Sequence, residues 1–319
     1  MSILGKFKKS VVKHKETNEK SYYKYFKRKY FLAEILHVLT TKKMYAKLFY
    51  RVYTGKKLNL INPVYYDEKI WWLKLNYQND LMNKFADKIE VKKQLSDLGL
   101  ESIIIPDYGY YNSVAEIDLK KIADEVIIKC GHNSGGHVIY DPNNRRGLTK
   151  YEIKRLNYLL KKSQYKLSLE WAYKNIPHRL IVEKVIRNAD NSLPNDYKFM
   201  CFGGKVHYLF YDQGVINEDG SSKHDYHRNI YDVNFRLLPV KETRDASKNI
   251  VQKPVNFEKM VEIAEIISKP FPHCRVDLYN IEGKIYFGEV TFYHGGGCND
   301  LSPETFDRKM GDLIDITLL

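Results

Sequence analysis

HCRVDLYNIEGKIYFGEVTFYHGGG, residues 273–297, is the stretch that decides the fold of this chain. Its alternation reads as two strands, Arg275–Ile281 and Ile285–Phe292, joined by a tight turn around Gly283. Each strand carries one carboxylate, Asp277 and Glu289, among apolar and aromatic neighbours. A three-residue turn (Glu282–Lys284) sets Asp277 directly opposite Glu289 and Arg275 opposite Thr291. A two-residue turn sends the carboxylates to opposite faces, because side chains alternate with period two. Two carboxylates this close repel unless something positive stands between them. A hard divalent cation such as Mg²⁺ suits the position, since it takes oxygen ligands and bridges carboxylates to nucleotide phosphates. Two carboxylates at a solvated sheet edge are the alternative.

With 319 residues, 44% of them hydrophobic, the chain has enough apolar content for an enzyme-sized body of two or three subdomains. Cys130, Cys201, Cys274 and Cys298 lie far apart with no CxxC pair, which argues against a zinc site or disulfide framework and fits a reducing cytoplasm. The best apolar run, Phe31–Leu39, is too short for a membrane span and is broken by Glu34 and His37. The first residues, MSILGKFKKS, lack the apolar core of a signal peptide. These features lead to the expectation of a cytoplasmic protein.

The net charge of +13 is concentrated at one end: residues 1–60 hold 16 Lys and Arg against 3 Asp and Glu, and the rest of the chain is balanced. The aromatic-studded run SYYKYFKRKYF (21–31) suits an anionic membrane surface at the inner face of the membrane, or a polyanionic glycan. No nucleic-acid-binding module accompanies it, so nucleic acid is not expected as a partner. A merely solvated basic helix is the bland alternative.

Along the chain, residues 20–55, Tyr65–Leu75, Asn79–Leu98, Thr149–Ser163 and Asn256–Ser268 read as helices, with Thr149 and Glu152 placed as a capping box. Ser102–Pro106, Glu125–Cys130, His137–Tyr140, Arg179–Ile186, Tyr197–Phe202 and Lys205–Tyr211 read as strands, and 212–254 as a polar, irregular stretch. The expected organisation is α+β: a basic helical extension (1–57), a helical subdomain (58–100), and two β-rich subdomains (101–186 and 187–319). Between two strands, IIKCGHNSGG (127–136) puts Lys129 at a strand end beside a Ser-Gly-Gly loop where backbone N–H groups can approach a phosphate. No GxxxxGK[ST] or strand–GxGxxG–helix unit occurs.

Together these pieces resemble the ATP-grasp fold, and more closely the TupA-like ATP-grasp family of teichuronopeptide and surface-polysaccharide biosynthesis. The matching stretches are NPVYYDEKIWWLKL (62–75), FADKIEVKKQL (85–95), IIKCGHNSGG (127–136), LEWAYKNIPHRLIVEKVI (169–186), NDYKFMCFGGKV (195–206) and RVDLYNIEGKIYFGEVTFYHGGG (275–297), in the family's order over roughly 55–312. The resemblance implies that two β-rich subdomains clamp ATP. Lys88 and Lys129 would face its phosphates, with Ser134, Gly135 and Gly136 as the lid. Glu183, Lys184, Val185 and Ile186 would form the hinge at the adenine and ribose. Asp196 and Lys198 would lie near the ribose, metal or phosphates. Arg275 would act on the transferring phosphoryl group, and Asp277 and Glu289 would hold Mg²⁺. The family commonly has Asn two residues after that glutamate; Thr291 stands there instead, which implies weaker metal binding or a single well-held ion.

The implied activity is ATP-dependent carboxylate–amine ligation through an acyl phosphate. Its substrates would be a uronic-acid-type carboxylate, carried on a saccharide or sugar nucleotide for capsule or cell wall, and an amine such as an amino acid. The alternatives are a glycosyltransferase of the same biosynthesis, which the lack of any Asp-x-Asp opposes in its metal-dependent form, and a non-catalytic saccharide-binding protein. His132, His273 and His294 adjoin these motifs and read as ordinary loop histidines.

Overall fold

The alternation that marks 273–297 persists as the central ladder of a five-stranded antiparallel sheet. The computed structural model describes residues 19–319, apart from 146, 222 and 224. Two helices come first, α1 (Glu19–Leu39) and α2 (Lys42–Thr54), then α3 (Tyr66–Asn76), α4 (Asp80–Ala86) and α5 (Glu90–Asp97). A four-stranded sheet follows, built from β1 (Asp107–Tyr111), β2 (Val126–Cys130), β3 (Val138–Tyr140) and β4 (Leu180–Lys184), in the order β1-β4-β2-β3. Between β3 and β4 lie α6 (Lys150–Leu160), whose Thr149–Glu152 capping box is formed, and the short α7 (Gln164–Ser168).

The second sheet contains β5 (Asp196–Phe202), β6 (Lys205–Gln213), β7 (His227–Asp232), β9 (His273–Ile281) and β10 (Lys284–Thr291), ordered β10-β9-β5-β6-β7. The remaining elements are β8 (Lys241–Glu242), α8 (Phe257–Ser268), β11 (Leu301–Ser302) and α9 (Glu304–Asp312). Every described ladder is antiparallel. Each sheet packs one apolar face against helices, as a period of two allows. Phe199, Val276 and Leu278 of the second sheet are buried with Met260, Ile263 and Ile267 of α8. Val126, Ile128, Leu180 and Val182 of the first are buried with Leu156 and Leu159 of α6 and with Phe26, Tyr30 and Ala33 of α1.

Four details depart from the sequence reading. The helix expected over Asn79–Leu98 is broken, because Asp87 accepts the Ile89 N–H at 2.9 Å in place of helical bonding. Lys88 falls at that break. Ser102–Pro106 is not a strand: Glu101–Ile103 forms a 3₁₀ turn, and the strand begins at Asp107, after Pro106, whose carbonyl accepts a bond but which has no N–H for a ladder. The stretch 212–254 contains β7, whose polar Arg228 and Asn229 are held by Asp212 and Ser247, partners that local sequence does not reveal. Finally, α1 is integrated into the first sheet's core, and Glu19 and Glu34 accept hydrogen bonds from Thr149 (2.8 Å) and Lys162 (2.5 Å).

Candidate active site

The turn joining β9 and β10 has two residues, Glu282 and Gly283, both at positive φ (49° and 87°), as a type I′ turn requires. On that count Asp277 would pair with Gly288 and the carboxylates would diverge. A β-bulge at Gly288 moves the register by one, so Asp277 pairs with Glu289 and Arg275 with Thr291. Gly288 has a steric reason to be glycine: a Cβ there would lie 3.0 Å from the Asp277 carbonyl oxygen.

On the other side of β9, Lys198 of β5 pairs with Asp277, giving a row Lys198–Asp277–Glu289 across three strands on one face. The positive charge between the carboxylates is Arg275. Its Nε and Nη2 donate to Asp277 at 2.6 and 2.7 Å, and Nη2 also reaches Glu289 Oε1 and Thr291 Oγ1 at 3.0 Å. Lys198 Nζ lies 2.9 Å from Asp277 and 3.1 Å from Asp196. Asp277 is buried, whereas the Glu289 side chain is 37% exposed and its Oε2 stands 4.0 Å from Lys88 Nζ. Burial alone would raise the Glu289 carboxyl, but Lys88, Arg275 and Lys198 prevail and hold it at about 2.

The first sheet presents a second charged group to the same space. Ile127 and Glu183 are register partners, and so are Lys129 and Ile181, so Lys129 and Glu183 share a face. Lys129 is ion-paired to Glu183, and Lys92 reaches Glu183 at 3.0 Å and Asp107 at 2.9 Å. These lysines outweigh the burial that would raise the Glu183 carboxyl and pull it below its ordinary range. Lys88 Nζ donates to the Asn133 carbonyl at 3.0 Å, tying the α4–α5 break to the glycine loop, and burial lowers its own pKa. In that loop Gly136 has φ 78°, and a Cβ would overlap the Leu159 side chain, so the loop can seat on α6 only as glycine.

Lys129, Glu183 and Gly288 line two adjoining cavities. A narrow one adds Lys88, Lys92 and Glu289. The wider one, with about 550 Å³ of empty volume, is a mostly apolar slot between the sheets, walled by Ile127, Ile139, Val185, Ile186, Leu193, Pro194, Ile216 and Tyr279. In the hinge segment the Lys184 and Val185 N–H groups already donate to the Pro106 and Glu125 carbonyls at 2.9 Å, and Lys184 Nζ points out to Asp124. Lys88, Lys129, Glu183, Lys184, Val185, Ile186 and Glu289 thus line these two cavities. Asp196, Lys198, Arg275, Asp277 and Thr291 form the charged cluster on the second sheet beside them. Ser134, Gly135 and Gly136 are not among the cavity-lining residues; Gly135 sits beside Phe26 of α1, and the loop meets the site through Asn133.

A third cavity, with about 730 Å³ of empty volume, opens on the opposite side of Arg275 and was not anticipated from sequence. Lys198, Arg275 and His294 line it, with Asp212, Arg228 and Glu242, and the wall also includes Tyr226, Thr243, Arg244 and Asn299. Arg228 donates to Asp212 at 2.5 Å and is ion-paired to Glu242, and Arg244 lies 4.5 Å from the Tyr226 ring centroid. Arg275 Nη1 donates to His294 Nδ1 at 2.7 Å. His294 is therefore not a loop histidine at the surface: burial, with Arg275 and Arg228 beside it, drives its pKa well down and keeps the ring neutral. His132 and His273 are likewise buried, which lowers both to about 4. The only sequence cue to His294 was its place two residues beyond the strand that carries Glu289.

The chain is similar to known proteins. The model of the TupA-like ATP-grasp family matches residues 68–315. No curated protein matches the chain significantly. Among solved structures, a D-alanine–D-alanine ligase from Bacillus anthracis is 18% identical, with 72% of this chain and 66% of that one covered at a TM-score of 0.42. An L-amino acid ligase from Bacillus licheniformis is 12% identical (72% and 49% covered, TM-score 0.44). A biotin carboxylase from Campylobacter jejuni, in a beta-gamma-ATP complex, is 15% identical (74% and 46% covered, TM-score 0.41). The chain spans about half to two thirds of the length of these proteins. The family match, which covers most of the chain, is what assigns it: this protein belongs to the TupA-like ATP-grasp family.

Proposed function

We propose that the protein is an ATP-dependent carboxylate–amine ligase that amidates a uronic-acid-type carboxylate of a surface saccharide. The observation that carries this reading is Arg275, whose guanidinium contacts Glu289, which lines the narrow cavity adjoining the apolar slot, and His294 in the cavity opposite. Adenine would occupy the apolar slot at Val185 and Ile186, with the phosphates toward Lys129 and Lys88. Arg275 bridges both carboxylates, and both Asp277 oxygens are engaged by Arg275 and Lys198, so the residues fit Mg²⁺ as an ion that arrives with the phosphates and meets the pair at Glu289, whose side chain is 37% exposed and whose Oε2 lies 4.0 Å from Lys88 Nζ. When bound, Mg²⁺ would neutralise phosphate charge; Glu289 and Asp277 would hold it, with the Thr291 hydroxyl beside them.

In the first step an oxygen of the acceptor carboxylate, in the cavity beyond Arg275, attacks the γ-phosphorus. The bond to the β,γ-bridging oxygen breaks and ADP departs with its electron pair. Arg275, Lys129 and Lys198 stabilise charge on the transferring group. An amine then attacks the acyl carbon, phosphate leaves with the C–O electron pair, and the nitrogen passes a proton to the departing phosphate. With Lys198, Arg228, Arg244 and Arg275 against Asp212 and Glu242 the lining is net positive, which favours an anionic acceptor, and the Tyr226 ring supports a saccharide one.

The test is ADP release from ATP–Mg²⁺ with glucuronate- or galacturonate-bearing sugar nucleotides and an amino acid pool, with mass spectrometry of the product. Formation of an amide that needs both carboxylate and amine supports the proposal. ATP-independent sugar transfer, or ATP binding with no turnover under any acceptor pair, overturns it.

A further inference from the structure

The two N-terminal helices expose an apolar ridge with no partner among the described residues. On α1 the buried face is Phe26, Tyr30 and Ala33, spaced i, i+4, i+7 against the first sheet's core. Another face of the same helix carries Lys24, Lys27 and Arg28, all exposed, and continues at helical spacing into Phe31, Ile35 and Val38. Val38 is 85% exposed, Leu39 71% and Phe31 62%. Beyond the α1–α2 corner, α2 also exposes Met44 (53%) and Leu48, interleaved with exposed Lys43 and Lys47. Large apolar side chains clustered at one corner mark an interaction surface, in contrast to single exposed ones.

We infer that this corner docks the protein on an anionic lipid bilayer, with Phe31, Val38, Leu39 and Met44 entering the headgroup boundary and the flanking lysines facing lipid phosphates. Two observations select the bilayer. Charge complementarity points to an anionic partner: residues 1–60 carry 16 basic against 3 acidic residues. The apolar ridge separates a bilayer from a soluble glycan or nucleic acid, either of which would need the lysines but would leave Val38 and Leu39 in water. Docking would be peripheral, since no helix of the described residues is long and apolar enough to cross a membrane. The helix that docks is fixed to the first sheet, with Phe26 beside Gly135 of the glycine loop, so the surface would hold the nucleotide-binding body itself at the membrane. This inference does not depend on the reaction proposed above.

The experiment is co-sedimentation of the full chain with vesicles of phosphatidylglycerol and phosphatidylcholine, and of phosphatidylcholine alone, at low and physiological salt. Binding to the anionic vesicles only, weakened but retained at physiological salt, is expected. The variant F31S/V38S/L39S should lose at least tenfold in partitioning while keeping its cooperative melting transition. The variant K24Q/K27Q/R28Q should weaken binding at low salt and reduce the salt dependence. V38W should shift its fluorescence to shorter wavelength on addition of anionic vesicles, which reads insertion in an otherwise unaltered chain. Vesicle binding that F31S/V38S/L39S leaves unchanged overturns the inference. So does binding to a soluble polyanion such as heparin without binding to vesicles, or a dimer in light scattering that the same variant dissociates.

Discussion

Asp277 and Glu289 are direct cross-strand partners although the turn between their strands has only two residues. The single inserted residue, Gly288, reconciles the two facts and turns the Glu289 carboxylate onto the face that carries Arg275 and Lys198. Because a Cβ at 288 would meet the Asp277 carbonyl at 3.0 Å, Gly288→Ala should push the strands apart by a few tenths of an ångström without unfolding the sheet. On the proposed role of the pair, the Mg²⁺ concentration that half-saturates ATP-induced thermal stabilisation should rise about tenfold, the lower end of what disturbed support of metal ligands costs. An unchanged Mg²⁺ titration would separate the bulge from metal binding.

Lys129→Ala should reduce phosphoryl transfer by a factor on the order of 10²–10³, about 3–4 kcal/mol of barrier, as for loss of one preorganised charge donor. The fold should survive, because Lys92 still pairs with Glu183 at 3.0 Å. Single-turnover ADP formation measures the first expectation and a melting curve the second. Turnover within a few-fold of the unmodified protein would remove Lys129 from the site.

Stability should fall in mild acid through the buried histidines. His273 donates from Nδ1 to the Cys201 carbonyl and accepts at Nε2 from Tyr66, each at 2.8 Å, an arrangement that needs the neutral ring. Burial lowers its pKa from an ordinary value near 6.5 to about 4. The unfolded chain therefore binds the proton first. Stability is fully present above about pH 6.5 and is lost as the pH falls toward 4, by about 3 kcal/mol for this residue. Urea unfolding at pH 7 and pH 4.5 should show the drop, and His273→Gln, which keeps one donor and one acceptor, should shrink it. A difference as large in His273→Gln as in the parent chain would refute the assignment.

Deleting the residues before Leu58 should cost more than membrane attachment. The sequence reading treats 1–57 as an extension, but Phe26 and Tyr30 are buried against the first sheet's core, and each side chain of this kind contributes about 1.5–3 kcal/mol. The deletion also uncovers α6, on which the glycine loop rests. A lower melting temperature and weaker ATP binding are expected, measured by calorimetry on the two proteins. Full retention of ATP affinity would show that α1 is dispensable for the site.

Much of this molecule was legible in one dimension. The alternation of 275–291, the Lys129 strand end beside two glycines and the Thr149–Glu152 cap are local patterns with periods of two to four residues, and local sterics and hydrogen bonding suffice to express them. The short-range errors also have local causes: Asp87 captures an N–H that a continuous helix would need, and Pro106 withholds one that an earlier strand would need.

What the sequence determined by itself is therefore which residues carry charge on which strands. What only the tertiary structure decided is which charges meet. The bulge at Gly288 sets the Glu289 register, and Arg275 is directed by partners on β9, on β10 and in the HGGG segment at once. The Asp212–Arg228–Glu242 cluster joins residues from three strands that no local periodicity links. Side-chain alternation is a property of one strand, whereas register and ion pairing between strands are set by the packing of whole sheets. For that reason the cavity beyond Arg275, with His294, Tyr226 and Arg244, became visible only when the chain was folded.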